Sequence, residues 1–158
     1  MRAVIQRVTK AGVSIDGQLI DESSIERGIC VLLAIGVDDT SDDIEYMVRK
    51  LLGVRIFPNV ETGKRWDKSV KDLGLEILCV SQFTFQFTLY SFLKGNKLDF
   101  HRSMTPTESQ QFYQNFMSEL RKAYAPERIK DGRFGAMMNV QIENDGPVTL
   151  ILDSKNKE

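Results

Sequence analysis

The 158-residue sequence is poor in the residues that staple, ligate or break a chain: it has two cysteines, four prolines and one histidine. No CxxC, no histidine pair and no HExxH occurs, which excludes the usual structural and catalytic zinc arrangements. Neither GxGxxG nor GxxxxGK[ST] is present to cradle a phosphate. No metal and no cofactor is expected. Cys30 and Cys79 lie inside the apolar runs Gly28-Ile29-Cys30-Val31-Leu32 and Ile77-Leu78-Cys79-Val80, where a thiol behaves as a small hydrophobe, and such reduced thiols suit the cytoplasm. The longest apolar run, Ile29 to Val37 with one glycine, is half the roughly 18 residues a spanning helix needs. Met1-Arg2-Ala3-Val4-Ile5-Gln6-Arg7 lacks the regions of a signal peptide, so the expectation is a soluble cytoplasmic protein with no membrane partner. An excess of charge is missing too: 21 Lys+Arg stand against 22 Asp+Glu. A bound nucleic acid must then be held by a local basic patch, not by net charge.

What is present describes one ordinary globular domain over residues 1–158. The chain is 42% hydrophobic and 27% charged; at this length a single core buries roughly 68–70% of the unfolded surface. No repeat, low-complexity tract or linker divides it. Arg2 to Thr9 is short and β-branched, and Val13-Ser14-Ile15 and Leu19-Ile20 flank Asp16-Gly17, a pair suited to a type I′ hairpin turn. Gly28 to Gly36 is apolar without alternation, which predicts a strand covered on both faces. Thr40 with Asp43 reads as a capping box before Ile44, Met47, Val48 and Leu51 at helical spacing. Thr105-Pro106-Thr107-Glu108 opens a second helix with an expected apolar face of Phe112, Phe116, Leu120 and Ala123 or Tyr124, stopped by Pro126. Between the helices come Val54 to Phe57 and Leu75 to Val80; after them Val140-Gln141-Ile142 and Val148 to Leu152 complete the strands. The expected fold class is α/β: layered, mixed, barrel-like β-sheets with two main helices.

Two segments stand out chemically. Val80-Ser81-Gln82-Phe83-Thr84-Phe85 leaves an apolar strand and at once presents Ser, Gln and Thr, and a strand exit fixes the backbone while staying accessible. The plain structural alternative is an edge strand, which the alternation Gln82-Phe83-Thr84, Gln86-Phe87-Thr88 fits equally. Asn144-Asp145-Gly146-Pro147 is turn chemistry and reads first as a tight hairpin loop joining two strands; the functional alternative is a rigid, cis Gly-Pro displaying main-chain carbonyls. His101 lies in a polar, basic stretch near Lys94, Lys97 and Arg102, which could hold phosphates if they share a groove with Ser81 to Thr84.

Taken together, Met1-Arg2-Ala3-Val4-Ile5-Gln6-Arg7-Val8, Ser81-Gln82-Phe83-Thr84, Lys94-Gly95-Asn96-Lys97 and Asn144-Asp145-Gly146-Pro147-Val148-Thr149 resemble, in order along the whole chain, the D-aminoacyl-tRNA deacylases, once called D-tyrosyl-tRNA deacylases. Trp66-Asp67-Lys68-Ser69-Val70 and Lys130-Asp131-Gly132-Arg133-Phe134-Gly135 add to the likeness. The resemblance implies a homodimeric hydrolase that frees a D-amino acid, or a mischarged glycine, from the terminal ribose of tRNA. It implies that Ser81, Gln82, Phe83 and Thr84 line the catalytic site. It also implies that Gly146-Pro147, as Gly-cisPro, reaches into the other subunit's site and leaves no room for an L side chain. Met138, Asn144, Lys94, Lys97 and His101 are further candidates for substrate or tRNA contact. Whether the Thr84 hydroxyl or the tRNA's own 2′-hydroxyl assists the reaction stays open here. The sequence departs from the family at Phe85, at Leu98 and in the longer stretch Gln86 to Leu93. A small-molecule esterase or amidase, or an RNA-binding module without catalysis, are the alternative readings.

Overall fold

The computed structural model describes residues 1–81, 92–99 and 101–157. Its spine is strand β1 (Arg2–Ile15), whose edge is used in halves. Arg2 to Val8 pair antiparallel with β3 (Gly28–Ala34), and Ala11 to Ile15 pair antiparallel with β2 (Gln18–Ile25). Asp16 and Gly17 take φ of 51° and 79°, the two positive values a type I′ turn demands, so the opening hairpin forms as its sequence predicts.

From β3 the sheet continues in parallel to β4 (Glu76–Ser81) and on to β7 (Ile129–Asp131). β7 returns beside β2, where the Ser23 hydroxyl donates to the Asp131 carbonyl, and the mixed sheet nearly closes into a barrel. β5 (Phe92–Lys94) and β6 (Lys97–Asp99) form a separate antiparallel pair. The other edge of β1 is covered along its length by β8 (Asn139–Asp153).

Period-two alternation divides the apolar side chains between two cores. Ile29, Val31, Leu33, Ile77 and Cys79 face one side, where helices α1 (Ser41–Gly53) and α2 (Pro106–Ala123) cover them with Met47, Leu51, Phe116 and Leu120. Cys30, Leu78 and Val80 point the other way and meet Val8, Val13 and Ile25 inside the barrel. β3 is thereby buried on both faces, as its unbroken apolar run requires. No helix among the described residues is long and apolar enough to cross a membrane.

Three expectations need correction. Val54 to Phe57 joins no sheet: Phe57 is fully buried, but its backbone bonds with Asp67 and Lys68, forming only an isolated bridge. The buried face of α2 is Ser109, Tyr113, Phe116, Met117 and Leu120; Phe112 is only partly covered and Ala123 is exposed, because Tyr113 reaches inward to Asp131 and turns the helix about its axis. Asn144 to Val148 is no hairpin loop. Val140 to Ile142 and Leu150 to Leu152 pair with the same strand β1 in one direction, so β8 is a single strand carrying a bulge.

Candidate active site

Ser81 ends β4, opposite Leu33 of β3, and is 6% exposed. Its buried hydroxyl finds no partner among the described residues, and an unpaired buried hydroxyl is a group for which a fold gives no structural account. Gln82, Phe83 and Thr84, the rest of the expected catalytic segment, lie outside the described residues. Beside Ser81 runs the segment following β7. The Gly132 N–H donates to the Cys79 carbonyl at 3.0 Å, and a Cβ on Gly132 would stand 2.9 Å from the Met138 sulfur and 3.8 Å from Val80. Met138 is thus brought close to the β4 exit. Below it the Tyr113 hydroxyl donates to Asp131 at 2.6 Å and ties α2 to this end of the sheet. Burial raises the Asp131 carboxyl above the usual range, against the lowering effect of that bond. Burial also drives the Cys79 thiol well above its ordinary value and pushes Cys30 up to about 12, so neither supplies a thiolate nucleophile at neutral pH.

The second feature is the bulge of β8. Gln6 pairs with Thr149 and Val8 with Asn144, so the four residues 145–148 stand opposite Arg7 alone. The Asn144 amide closes the base of this loop by donating to the Arg7 carbonyl at 2.9 Å and to the Val148 carbonyl at 3.0 Å. The Arg7 guanidinium lies under it, 2.8 Å from the Asp145 carboxylate and 2.5 Å from the Ile56 carbonyl. Buried Val148 anchors the tip, while Gly146 and Pro147 are exposed and their peptide bond is cis. Gly146 has a φ of 117°. A Cβ there would meet Val148 Cγ2 at 2.8 Å and the Val148 nitrogen at 3.1 Å, so both the conformation and the space call for glycine.

The two features do not meet within one chain. On the ladders, Ser81 is level with Leu33 and Ala3, whereas the bulge is level with Arg7, four residues further along β1 and next to Ile29. That is roughly 13 Å along the strands, and β8 and β4 are three strand spacings apart, about 14 Å. His101 is exposed in the turn before Ser103; the neighbouring Val37 N–H donates to the Arg102 carbonyl and Gly36 bridges Ser103, which carries His101 to the Ser81 end of the sheet. Lys94 ends β5, and Lys97 is exposed at the start of β6 across the Gly95-Asn96 turn. Asn144, expected as a contact residue, has its amide engaged in holding the bulge.

Sequence reading overlooked the neighbours of Gly146-Pro147. A cavity of about 290 Å³ beside the bulge is walled by Arg7, Pro58, Arg65 and Trp66 together with residues 146–148. Arg7 gave no signal because its role depends on a pairing 137 residues away; Trp66, the one tryptophan in the chain, was the available clue. A larger cavity of about 920 Å³ between α1 and α2 holds none of the candidate residues.

The family model described as D-Tyr-tRNA(Tyr) deacylase matches residues 4–153. The chain is 55% identical to the D-aminoacyl-tRNA deacylase 1 of Homo sapiens over 154 residues, covering 98% of this chain and 70% of that one. It is 51% identical to the D-aminoacyl-tRNA deacylase of Dictyostelium discoideum over 157 residues, covering 99% and 100%. Among solved structures, the c-Myc DNA Unwinding Element Binding Protein superposes with a TM-score of 0.87 at 55% identity, over 97% of this chain and 98% of that one. A probable eukaryotic D-amino acid tRNA deacylase superposes with a TM-score of 0.79 at 19% identity, over 96% and 97%, a likeness of fold.

Proposed function

Since the chain belongs to the D-aminoacyl-tRNA deacylase family and is a hydrolase of that ester, we propose that it removes D-amino acids, and mischarged glycine, from tRNA at a site completed by a second copy of itself. The observation that carries this reading is the bulge opposite Arg7: an exposed Gly146-Pro147 tip held at its base by Asn144 and Asp145, too far from its own Ser81 to serve it.

A fixed main-chain wall explains the selectivity without reading any side chain. Glycine and a D-residue both carry hydrogen where an L-residue carries its side chain. A wall at that position passes the first two and excludes the third by steric overlap, which a mobile loop could not enforce. In this reading Ser81, Gln82, Phe83 and Thr84 supply the facing wall of the pocket, Met138 joins it from the segment after β7, and Lys94, Lys97 and His101 contribute to the tRNA side. In the reaction, water adds to the ester carbonyl, the terminal 2′-hydroxyl of the tRNA helps move its proton, and backbone N–H groups near Phe83 and Thr84 receive the developing oxyanion. Such donors contribute roughly 2.7–4 kcal/mol each. The C–O bond to the 3′-oxygen then breaks, and that oxygen leaves protonated as the ribose hydroxyl.

The test is single-turnover deacylation of three substrates at equal enzyme: D-Tyr-tRNA, L-Tyr-tRNA and D-Tyr-tRNA ending in 2′-deoxyadenosine. Cleavage of the first, sparing of the second and strong slowing of the third are expected. Cleavage of D and L alike removes the wall, and normal cleavage of the deoxy substrate returns the proton transfer to a side chain such as Thr84.

A further inference from the structure

We propose that Trp66 and Arg65 form a landing site for the single-stranded 3′ end of the tRNA, Trp66 stacking on a base and Arg65 contacting a phosphate. This rests on the deacylase reading and adds to it the surface that receives the nucleotides next to the ester.

A tryptophan on a loop is ordinarily buried, yet Trp66 is 56% exposed. It is nevertheless held firmly. The loop from Pro58 to Asp67 is wound around Asn59, whose side-chain oxygen accepts from the Glu61 and Thr62 N–H groups at 3.1 and 3.4 Å and whose amide donates to Asp67 at 2.9 Å. The Asn59 N–H donates to the Lys64 carbonyl at 2.8 Å, and Asp67 is further pinned by Lys64 at 3.0 Å and by the Phe57 carbonyl at 3.1 Å. The Asp67 carboxyl is held below the usual range by these bonds from Asn59 and Lys64. One side of the indole is also occupied, since the Arg7 guanidinium sits 5.8 Å from the ring centroid. That cation is itself neutralised by Asp145, so it orients the ring without offering its charge to a ligand. What remains is an oriented aromatic surface, exposed to solvent, in the same small cavity as Gly146-Pro147.

Arg65 lines this cavity, is exposed, and makes no ion pair with the described residues. An aromatic face with an adjacent uncommitted guanidinium is the combination that binds single-stranded nucleic acid: the ring takes any base, and the cation takes the backbone. A free amino acid or a small ester offers neither a second ring nor a phosphate. Because the Gly146-Pro147 tip serves the partner's ester-binding pocket in the proposed reading, Trp66 stands where nucleotides preceding the terminal ribose pass.

The lone tryptophan makes the site directly readable. The wild-type protein is titrated with the RNA 5′-ACCA-3′ while indole emission is followed, and D-Tyr-tRNA kinetics are measured for wild type, Trp66→Ala, Trp66→Phe and Arg65→Ala. Expected are quenching of the emission, a KM for Trp66→Ala raised roughly tenfold with kcat kept, and a KM near wild type for Trp66→Phe. For Arg65→Ala the slope of log affinity against log salt should shrink by about 0.7. Cleavage of D-Tyr-tRNA by wild type with unaltered emission and an unaltered KM in Trp66→Ala overturns the landing site and leaves the deacylase reading standing. Emission already shielded from acrylamide in the free protein overturns it as well, by placing Trp66 inside a subunit contact. A wild-type enzyme that cleaves no D-aminoacyl-tRNA overturns the underlying reading instead.

Discussion

At Gly146 one added methyl would enter a space already filled, 2.8 Å from Val148 Cγ2 and 3.3 Å from the Arg7 guanidinium, on a backbone with φ of 117°. Forcing an L-residue into that region costs roughly 1–3 kcal/mol. Because the tip is exposed and its base is closed by Asn144, Gly146→Ala should fold, with a Tm several degrees lower. Its effect on chemistry should be larger: the displaced tip no longer blocks the L side chain, and the ratio of kcat/KM for D-Tyr-tRNA over L-Tyr-tRNA falls. A variant that keeps the wild-type ratio would deny Gly146 any part in chiral selection. The Gly-Pro pair is conspicuous in the sequence because turn chemistry there interrupts a β-branched stretch, and Ser81 because a polar residue ends an apolar run. Arg7 and Trp66 sit within stretches that carry the family likeness, but their place beside the tip was not legible there, since only the fold sets both against a bulge formed some 80 to 140 residues later.

Among the elements, α1 shows how closely a local signal can fix a boundary. The Thr40 N–H and hydroxyl donate to the Asp43 carboxylate at 2.8 and 3.1 Å, which is the reciprocal half of the capping box read from the sequence. The same carboxylate receives the Lys155 ammonium at 2.7 Å, joining the start of the helix to the end of the chain. Burial works against the charged Asp43, but hydrogen bonds from Lys155, Ser154 and Thr40 outweigh it and hold the carboxyl below the usual range. A folded-state pKa below the unfolded value near 3.9 means that the ionised form favours the fold. That stabilisation is complete above the unfolded value and disappears as pH falls through the folded one. Asp43→Asn should therefore lower stability at pH 7 by about 1–2 kcal/mol and flatten its decline below pH 4, as measured by urea denaturation at both pH values. Equal losses at pH 7 and pH 2 would show that the carboxylate's charge is not what matters. Elements with caps, turn pairs or unbroken apolar runs were readable in this way. β8 was not, because a bulge and a hairpin loop use the same residues, and only the strand opposite decides between them.

For the whole molecule the decisive quantity is the separation between the β4 exit and the bulge, roughly 13 Å along the strands and three strand spacings across. The Gly146-Pro147 tip cannot close over its own Ser81 without taking β8 off β1, and the bulge is held to that strand by Asn144. If the tip works in trans, a twofold dimer provides two identical shared sites, each drawing its catalytic wall from one subunit and its tip from the other. This arrangement is testable by complementation. One variant carries a disabled catalytic wall, with Thr84 replaced by Pro to remove the backbone N–H proposed to receive the oxyanion, and the other a disabled tip, with Gly146 and Pro147 replaced by Ala. Each alone should lack selective D-Tyr-tRNA cleavage. After equimolar mixing and subunit exchange, half of the dimers are mixed, and each mixed dimer holds one site with both halves intact. Selective cleavage, read as the D-Tyr-tRNA rate in excess of the L-Tyr-tRNA rate, should then return to about a quarter of the wild-type level per subunit. A site built within one chain regains nothing on mixing, since every chain is damaged in one half. The recovery therefore distinguishes a shared site from a dimer that is merely a dimer, which size measurement in solution alone cannot do.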